Sequence, residues 1–338
     1  MSNNIDNEIR SAFEKANRIV LASHIRPDQD AIGSLLGLGS ALESAGKQVQ
    51  MVLTDSISVG LRFLDGSEKV IKTPENPFDL FVSLDCSDLK RLGNALPKAV
   101  NVDINIDHHL SNLNFGGINL VEPENVATSA VVAEHLNAWG LELNKTVATA
   151  LMVGILGDSI GFRTSNTSSN TLRLAANLMD YGISMPELYT KTLVGRSFTA
   201  AKYWGQGLTN LNKIGGVIYT TLSLEDRKKA LYTGNDDADL INMMSTIESA
   251  SVAIVFVEQS KEKVKVSWRA IPGLDLSKLA LSFGGGGHPA ASGAEISGSL
   301  SEIQEKVLTA TINFVKMNDN KSKIIKGEEI KKMGERKS

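Results

Sequence analysis

The sequence reads as an α/β protein in two parts: an N-terminal, mostly parallel sheet flanked by helices, then a helical connector and a smaller C-terminal α+β domain. Three observations carry this reading. Short apolar runs alternate with helical patterns through the first half, as they do where helices cross over between parallel strands. From about residue 167 to 211 the periodicity is helical, with no convincing strand, and a second set of strand signals begins only afterwards. The length of 338 residues gives room for two domains.

The first element is a helix over residues 5–16, with Ile5, Ile9, Phe13 and Ala16 at three- to four-residue spacing. Residues 18–22 (RIVLA) form an apolar run suited to a buried strand. Residues 31–45 are helical and stop at Gly46, a C-terminal cap. Residues 49–53, 79–84 and 100–106 follow as strands, and 128–139 and 145–156 as helices. In the second half, strands are expected at 217–222, 252–257 and 263–268. Helices are expected there at 240–247, 276–282 and 301–314. The corresponding boundaries are 1–190 for the first domain, 191–212 for the connector, 213–316 for the second domain and 317–338 for a basic tail.

Composition narrows the function. Hydrophobic residues make up 42% and charged residues 22%, an ordinary globular balance. The net charge of −3 leaves no overall basic surface for coating long nucleic acid. The single cysteine, Cys86, excludes an intrachain disulfide and a cysteine-only zinc site. The N-terminus lacks the apolar core of a secretory signal, and no apolar run approaches ~20 residues, so a cytoplasmic protein free of membrane is expected. Residues 316–338 carry 8 basic and 4 acidic side chains and read as a solvated, partly helical tail or a weak polyanion anchor.

Chemistry concentrates in five clusters. The run from Ser23 through His24, Asp28 and Asp30 follows the RIVLA strand and so sits at a strand's C-terminal end, where open α/β sheets bind ligands. Either aspartate can cap the next helix, but capping does not account for both aspartates and the histidine. Asp85 ends a second apolar strand, as a ligand or a turn cap, and Asp88 suits a cap or turn. Asp107-His108-His109 follows a third strand. One histidine can bind metal while the next donates to a substrate oxygen, and the aspartate can accept the ligand histidine's other N–H. Asp158 closes an apolar helix, either at the surface or delivered into a cleft. His135 lies within a helical pattern and reads as structural. Together these carboxylates and imidazoles form an O/N donor set for hard divalent ions, tilted by histidine toward Mn2+. Two ions sharing one carboxylate suit phosphoester hydrolysis. The fifth cluster is Gly284-Gly285-Gly286-Gly287-His288, a flexible loop or a cradle of backbone N–H groups for an anion. It is not a Walker A loop, and Arg269 nearby can add a charged contact.

These clusters, in this order, resemble the DHH superfamily of phosphoesterases. Residues 24–34 match H-x-x-P-D-x-D-A-x-G-S at every specified position, Asp107-His108-His109 is the DHH triplet, and the GGGGH element resembles the DHHA1 domain. The resemblance spans residues 19–314. It implies a pair of Mn2+ ions, with Mg2+ or Co2+ as substitutes. His24, Asp28 and Asp85 would hold one ion, and Asp30, Asp85, His108 and Asp158 the other. His109 would contact the scissile phosphate with Asp107 beside it. Gly284, Gly285, Gly286, Gly287, His288 and Arg269 would hold the far end of the substrate. One departure stands out: relatives commonly read D-T-G-x-F where this chain reads Asp158-Ser159-Ile160-Gly161-Phe162.

A chain with one DHH and one DHHA1 domain resembles the oligoribonuclease (nanoRNase) and 3′-phosphoadenosine 5′-phosphate phosphatase group. The implied function is hydrolysis of short RNA oligonucleotides, and of that bisphosphorylated nucleotide, by two-metal hydroxide attack on phosphorus. Cyclic dinucleotides or their linear products are the alternative substrates. A non-catalytic nucleotide- or RNA-binding protein is the alternative class, but it has no need of six metal-ligand candidates. A homodimer is the assembly the sequence leaves open.

Overall fold

The computed structural model describes residues 2–335 apart from Asn76, Ala99, Ser249 and Pro272; the side chains of Ser2, Asn3, His288 and residues 319–335 lie outside the described set. Two compact units divide the chain, residues 1–195 and 196–338.

The first unit is built on five parallel strands: β1 (Arg18–Ala22), β2 (Gln48–Val52), β3 (Leu80–Leu84), β4 (Ile104–Asp107) and β5 (Ile118–Val121). Their spatial order is β2-β1-β3-β4-β5. The order therefore reverses between β1 and β3, and a crevice for a ligand opens at such a switch point, beyond the strands' carboxyl ends. Helix α1 (Ser2–Lys15) precedes β1, α2 (Gln29–Ser44) joins β1 to β2, and α3 (Thr128–His135) and α4 (Lys145–Asp158) follow β5. The unit closes with α5 (Ser169–Met179), α6 (Met185–Tyr189) and a wide π turn over Thr190–Val194.

The RIVLA strand is apolar at successive positions because both faces are covered. Ile19 and Leu21 enter the core shared with α2, α3 and α4. Val20 and Ala22 enter a second core with Phe81, Cys86 and Leu92. Alternation fails for the same reason in β3, where Leu80, Val82 and Leu84 face the first core and Phe81 the second.

Helices α2 and α4 meet backbone to backbone. A Cβ on Gly33 would stand 2.6 Å from the Ala150 carbonyl oxygen and 2.8 Å from the Gly154 nitrogen. A Cβ on Gly154 would strike the Ser129 hydroxyl and lie 2.8 Å from Asp30 Oδ1. The glycine of the D-A-x-G-S motif is thus a packing residue. Its serine, Ser34, donates its buried hydroxyl to the Asp30 carbonyl within α2. On the opposite side, α1 is tied to α3: Asp6 Oδ1 accepts from His135 Nδ1 at 2.7 Å and from Trp139 Nε1 at 3.0 Å, while His135 Nε2 pairs with Glu122 at 3.0 Å. This confirms the structural reading of His135.

The second unit contains α7 (Phe198–Thr209), β6 (Asn212–Ile214), β7 (Val217–Leu222), α8 (Leu224–Ala230), α9 (Leu240–Met244), β8 (Val252–Ser260), β9 (Lys263–Ala270), α10 (Ser277–Ser282), β10 (Gly286–His288), β11 (Ala291–Ser297) and α11 (Leu300–Glu335). A mixed sheet in the order β10-β11-β9-β8-β7-β6 organises it, with β7 and β8 parallel and the other pairs antiparallel. Val252, Ile254 and Phe256 face the core under α11, and Ala253, Val255 and Val257 face the core formed with α7 and α9.

Most expected elements are present within a few residues. The strand expected at 100–106 begins only at Ile104. Strands β5, β6 and β11 fall outside the expected set; β11 reads ASGAEIS and is held by seven paired positions on β9 rather than by propensity. The glycine-rich segment is also more ordered than a loop, since Gly286–His288 pairs with Ala291–Gly293 as an edge strand. The tail continues α11 to Glu335, and its last three residues lie outside the described set. Among the described residues no helix is long and apolar enough to cross a membrane.

The helix seam gives a direct test. Gly33→Ala forces backbone apart and should destabilise the protein by about 1–3 kcal/mol in urea unfolding. Gly205→Ala, inside α7 with nothing within 4 Å of the added methyl, should instead be neutral or stabilise by about 0.5–1 kcal/mol. Equal effects at the two positions would refute the close-packing role of Gly33.

Candidate metal centre

The first unit gathers His24, Asp28, Asp30, Asp85, His108, His109 and Asp158 at the carboxyl edge of its sheet. Three overlapping groups have donor atoms within 4.8 Å of one another: His24, Asp28 and Asp85; Asp30, His108 and Asp158; and Asp85, His108 and His109. Asp85 and His108 each belong to two groups, so the site has two lobes joined through this pair.

The first lobe grows from the end of β1. His24 is buried, and its Nδ1 lies 2.8 Å from the Ile25 carbonyl oxygen, which requires a proton on Nδ1. Its Nε2 then faces Asp85 Oδ2 at 3.4 Å and Asp28 Oδ2 at 3.8 Å. Asp28 does two jobs. Its Oδ1 caps α2, accepting from the Asp30 and Ala31 amides at 3.0 Å each, and its Oδ2 remains for the site. Capping therefore does not compete with the ligand role expected of this residue, because the two would use different oxygens.

The second lobe joins three elements. Asp30 is buried in the first turn of α2, and its two oxygens accept the Thr128 and Ser129 amides of α3 at 2.6 and 2.8 Å. Each oxygen keeps lone-pair capacity beyond that bond. His108 Nδ1 lies 3.1 Å from the Asn125 carbonyl oxygen, so its Nε2 faces Asp158 Oδ2 at 3.2 Å and Asp30 Oδ2 at 3.9 Å. Asp158 arrives from the last residue of α4. The bend that follows is strained: Ile160, Gly161 and Phe162 all have positive φ, at +49°, +68° and +66°. A β-branched residue there is a steric outlier. It is held by amide bonds from Gly161 to Leu156 O and from Arg163 to Ser159 O.

Asp85 leaves β3 with φ +53°, a left-handed conformation that aspartate tolerates better than most residues. It is almost fully buried, and Thr128 donates its hydroxyl to Asp85 Oδ1 at 3.0 Å. Sequence reasoning assigned no role to Thr128.

Asp107 is placed differently from the expected arrangement. It does not hold the other nitrogen of His108, which the Asn125 carbonyl takes. Its Oδ1 instead accepts from His109 Nδ1 at 2.7 Å and from the His108 amide at 2.8 Å. Its Oδ2 accepts from Asn112 Nδ2 at 2.5 Å. Asn125 lies on the turn leading into α3, where its side-chain amide donates to Glu122 Oε2 at 2.8 Å. Asn125 and Asn112 are thus further contributors to the site. A DHH triplet alone does not mark them, although Asn112 lies only three residues beyond it.

The electrostatics fit cations. Burial and the neighbouring Asp85 and Asp158 charges push Asp30 well above the ordinary carboxylate range. Burial, with Asp28 and Asp85, pushes Asp158 up to about 7, although His108 opposes it. Burial opposes the charge on Asp85 too, but the His24 hydrogen bond and the charges of His109, His24 and His108 hold it below the ordinary range. Burial would lower the His109 pKa, yet the Asp107 hydrogen bond and the surrounding carboxylates raise it to about 10. So many buried carboxylates in one place are tolerated only with positive charge among them. Oxygen and imidazole donors in these groups can hold divalent metal ions.

The remaining expected residues lie in the second unit. Arg269 is inside β9, where its Nε donates to Asn242 Oδ1 at 3.0 Å and its Nη1 to the Trp268 carbonyl at 3.0 Å. Gly284 takes φ +75° just past α10. Gly285 and Gly287 permit the close pass of β10 along β11, for a Cβ on Gly287 would stand 2.5 Å from the Ala291 carbonyl oxygen. Gly284 and Gly286 both have open space where a side chain would stand, but only Gly286 has it without a positive φ. The His288 side chain lies outside the described residues.

Comparison with known proteins agrees with this anatomy. The family profile described as "DHH family, N-terminal domain" matches residues 18–155, and the DHHA1 domain profile matches residues 215–317. The chain is 37% identical over 298 residues to the bifunctional oligoribonuclease and PAP phosphatase NrnA of Thermus thermophilus, covering 86% of this chain and 88% of that protein. It is 26% identical to the Bacillus subtilis protein of the same name, covering 82% and 89%. A crystal structure of an exopolyphosphatase-related protein from Bacteroides fragilis superposes with a TM-score of 0.85 at 25% identity, covering 94% of this chain and 98% of that one.

The hydrogen-bond pattern around His109 makes a measurable statement. In the metal-free protein, Asp107→Asn removes the charge that Nδ1–H faces, so the His109 pKa should fall from about 10 toward its ordinary ~6.5. Ring-proton NMR shifts followed against pH read this directly. An unchanged titration would show that Asp107 does not set the protonation of His109.

Proposed function

The chain belongs to the DHH family, and from that premise we propose that it is a phosphoesterase using two Mn2+ ions to hydrolyse short oligoribonucleotides and 3′-phosphoadenosine 5′-phosphate. The observation that carries the reading is Asp85: one buried carboxylate shared by two donor groups, Oδ2 toward His24 and Oδ1 toward His108 and His109. Its support is the pair of relatives named for those two substrates. Mg2+ or Co2+ would substitute for Mn2+ in such a donor set.

His24, Asp28 and Asp85 would hold one ion, and Asp30, Asp85, His108 and Asp158 the other. Bound there, the ions supply Lewis acidity to the phosphate and lower the pKa of water toward neutrality. The chain's own groups do the rest. His24 and His108 are fixed as Nδ1–H tautomers by backbone carbonyls, so each presents a lone pair on Nε2 without a search. His109, half-buried and held by Asp107 through Nδ1, keeps its Nε2–H for a phosphate oxygen or for the leaving group. Arg269 and the amides around Gly286 would bind the far end of a short substrate, a role that needs no basic track along the protein and agrees with the net charge of −3.

Initial rates of the Mn2+-loaded protein on an RNA dinucleotide, a five-mer, a 20-mer and the bisphosphorylated nucleotide test this. The short RNAs and the bisphosphate should turn over. Asp85→Asn should lose about 100-fold or more, consistent with several kcal/mol of electrostatic stabilisation. A 20-mer cut as readily as the dinucleotide would refute the preference for short substrates. Metal bound with no turnover on any of the four would refute the reading as a whole.

A further inference from the structure

We propose that Thr128 is a positioning residue, whose hydroxyl holds Asp85 in the orientation that lets one carboxylate serve both lobes of the centre. The inference rests on the metal-centre reading above and deepens it.

A threonine at the start of a helix ordinarily caps that helix with its hydroxyl. Here the N-cap position of α3 is Ala127, which makes no side-chain cap. Capping is supplied from α2 instead, since the Asp30 carboxylate accepts the amides of Thr128 and Ser129. The Thr128 hydroxyl is thereby released from its usual task. It is fully buried and donates to Asp85 Oδ1 at 3.0 Å. One residue therefore grips two candidate ligands, Asp30 by its backbone N–H and Asp85 by its side chain.

The orientation matters because the two oxygens of Asp85 face different partners. Oδ2 lies 3.4 Å from His24 Nε2, and Oδ1 lies 3.6 Å from His109 Nδ1 and 3.9 Å from His108 Nε2. A rotation of the carboxyl plane would misdirect both. The Nδ1 atoms of the three imidazoles do not fix that orientation, because that of His24 lies against Ile25 O, that of His108 against Asn125 O and that of His109 against Asp107. The Thr128 hydroxyl, a neutral donor, occupies one lone pair of Oδ1 and leaves the other for a cation.

Thr128→Val keeps the shape and removes the hydroxyl; Thr128→Ser keeps the hydroxyl. Calorimetric titration of metal-free protein with Mn2+, alongside thermal unfolding without metal, reads the effect apart from catalysis. Mn2+ affinity should fall about 10–100-fold in Thr128→Val, as when an outer hydrogen bond to a ligand is lost, and stay at the wild-type value in Thr128→Ser. Thr128→Ala provides a second hydroxyl-free variant should the valine disturb folding, and it should behave alike. Wild-type affinity in a folded hydroxyl-free variant would overturn the proposal. So would a serine variant that loses affinity as the valine variant does. A wild-type protein that takes up no Mn2+ would overturn the metal-centre reading itself, and is seen before any variant is compared.

Discussion

The close approach of α2 and α4 at Gly33 and Gly154 is the constraint on which the rest of the first unit depends. It brings the N-terminal turn of one helix, carrying Asp30, beside the C-terminal end of the other, carrying Asp158. It also leaves just enough room at Gly154 for Ser129, so the first turn of α3 reaches the Asp30 carboxylate. Three helix termini are thus locked together by an absence of side chains and one buried carboxylate. The sheet contributes the other candidate ligands from the ends of β1, β3 and β4, around the point where the strand order reverses.

Around that frame the electrostatics are deliberately one-sided. Five carboxylates, three of them buried, and three imidazoles crowd this edge of the sheet, and the helix N-terminus of α3 offers only partial positive charge. The resulting tension is visible in the opposed behaviour of neighbours: Asp30 and Asp158 resist ionisation, while Asp85 and His109 stay charged. Divalent cations bound there, as proposed, would ease that conflict by setting positive charge among the carboxylates.

Much of this was legible in the residues. Buried parallel strands announce themselves as unbroken apolar runs, and polar residues immediately after them fall at the functional edge, which located His24, Asp85 and the Asp107-His108-His109 triplet. What stayed hidden is what depends on partners distant in sequence. Asp107 was expected to serve His108, but Asn125 approaches from a turn seventeen residues away and takes that nitrogen. Thr128 looks like any helix-starting threonine until Asp30, ninety-eight residues earlier, is seen to cap the helix in its place. The strand nature of Gly286–His288 was hidden because pairing with β11, rather than propensity, defines it. In that segment three glycines answer to backbone geometry, so a glycine count overstates how much of the run is free to meet a ligand.

The ligand set is spread from residue 24 to residue 158, and its members are brought together by a core that contains none of them. That separates two events which small zinc-dependent modules fuse. The apolar core and helix seam do not depend on the candidate ligands, so on the reading proposed above metal uptake would follow folding rather than drive it. On that reading, a chain deprived of its cations would persist as an intact, dormant polypeptide that resumes work on resupply, instead of being lost to degradation and having to be made again.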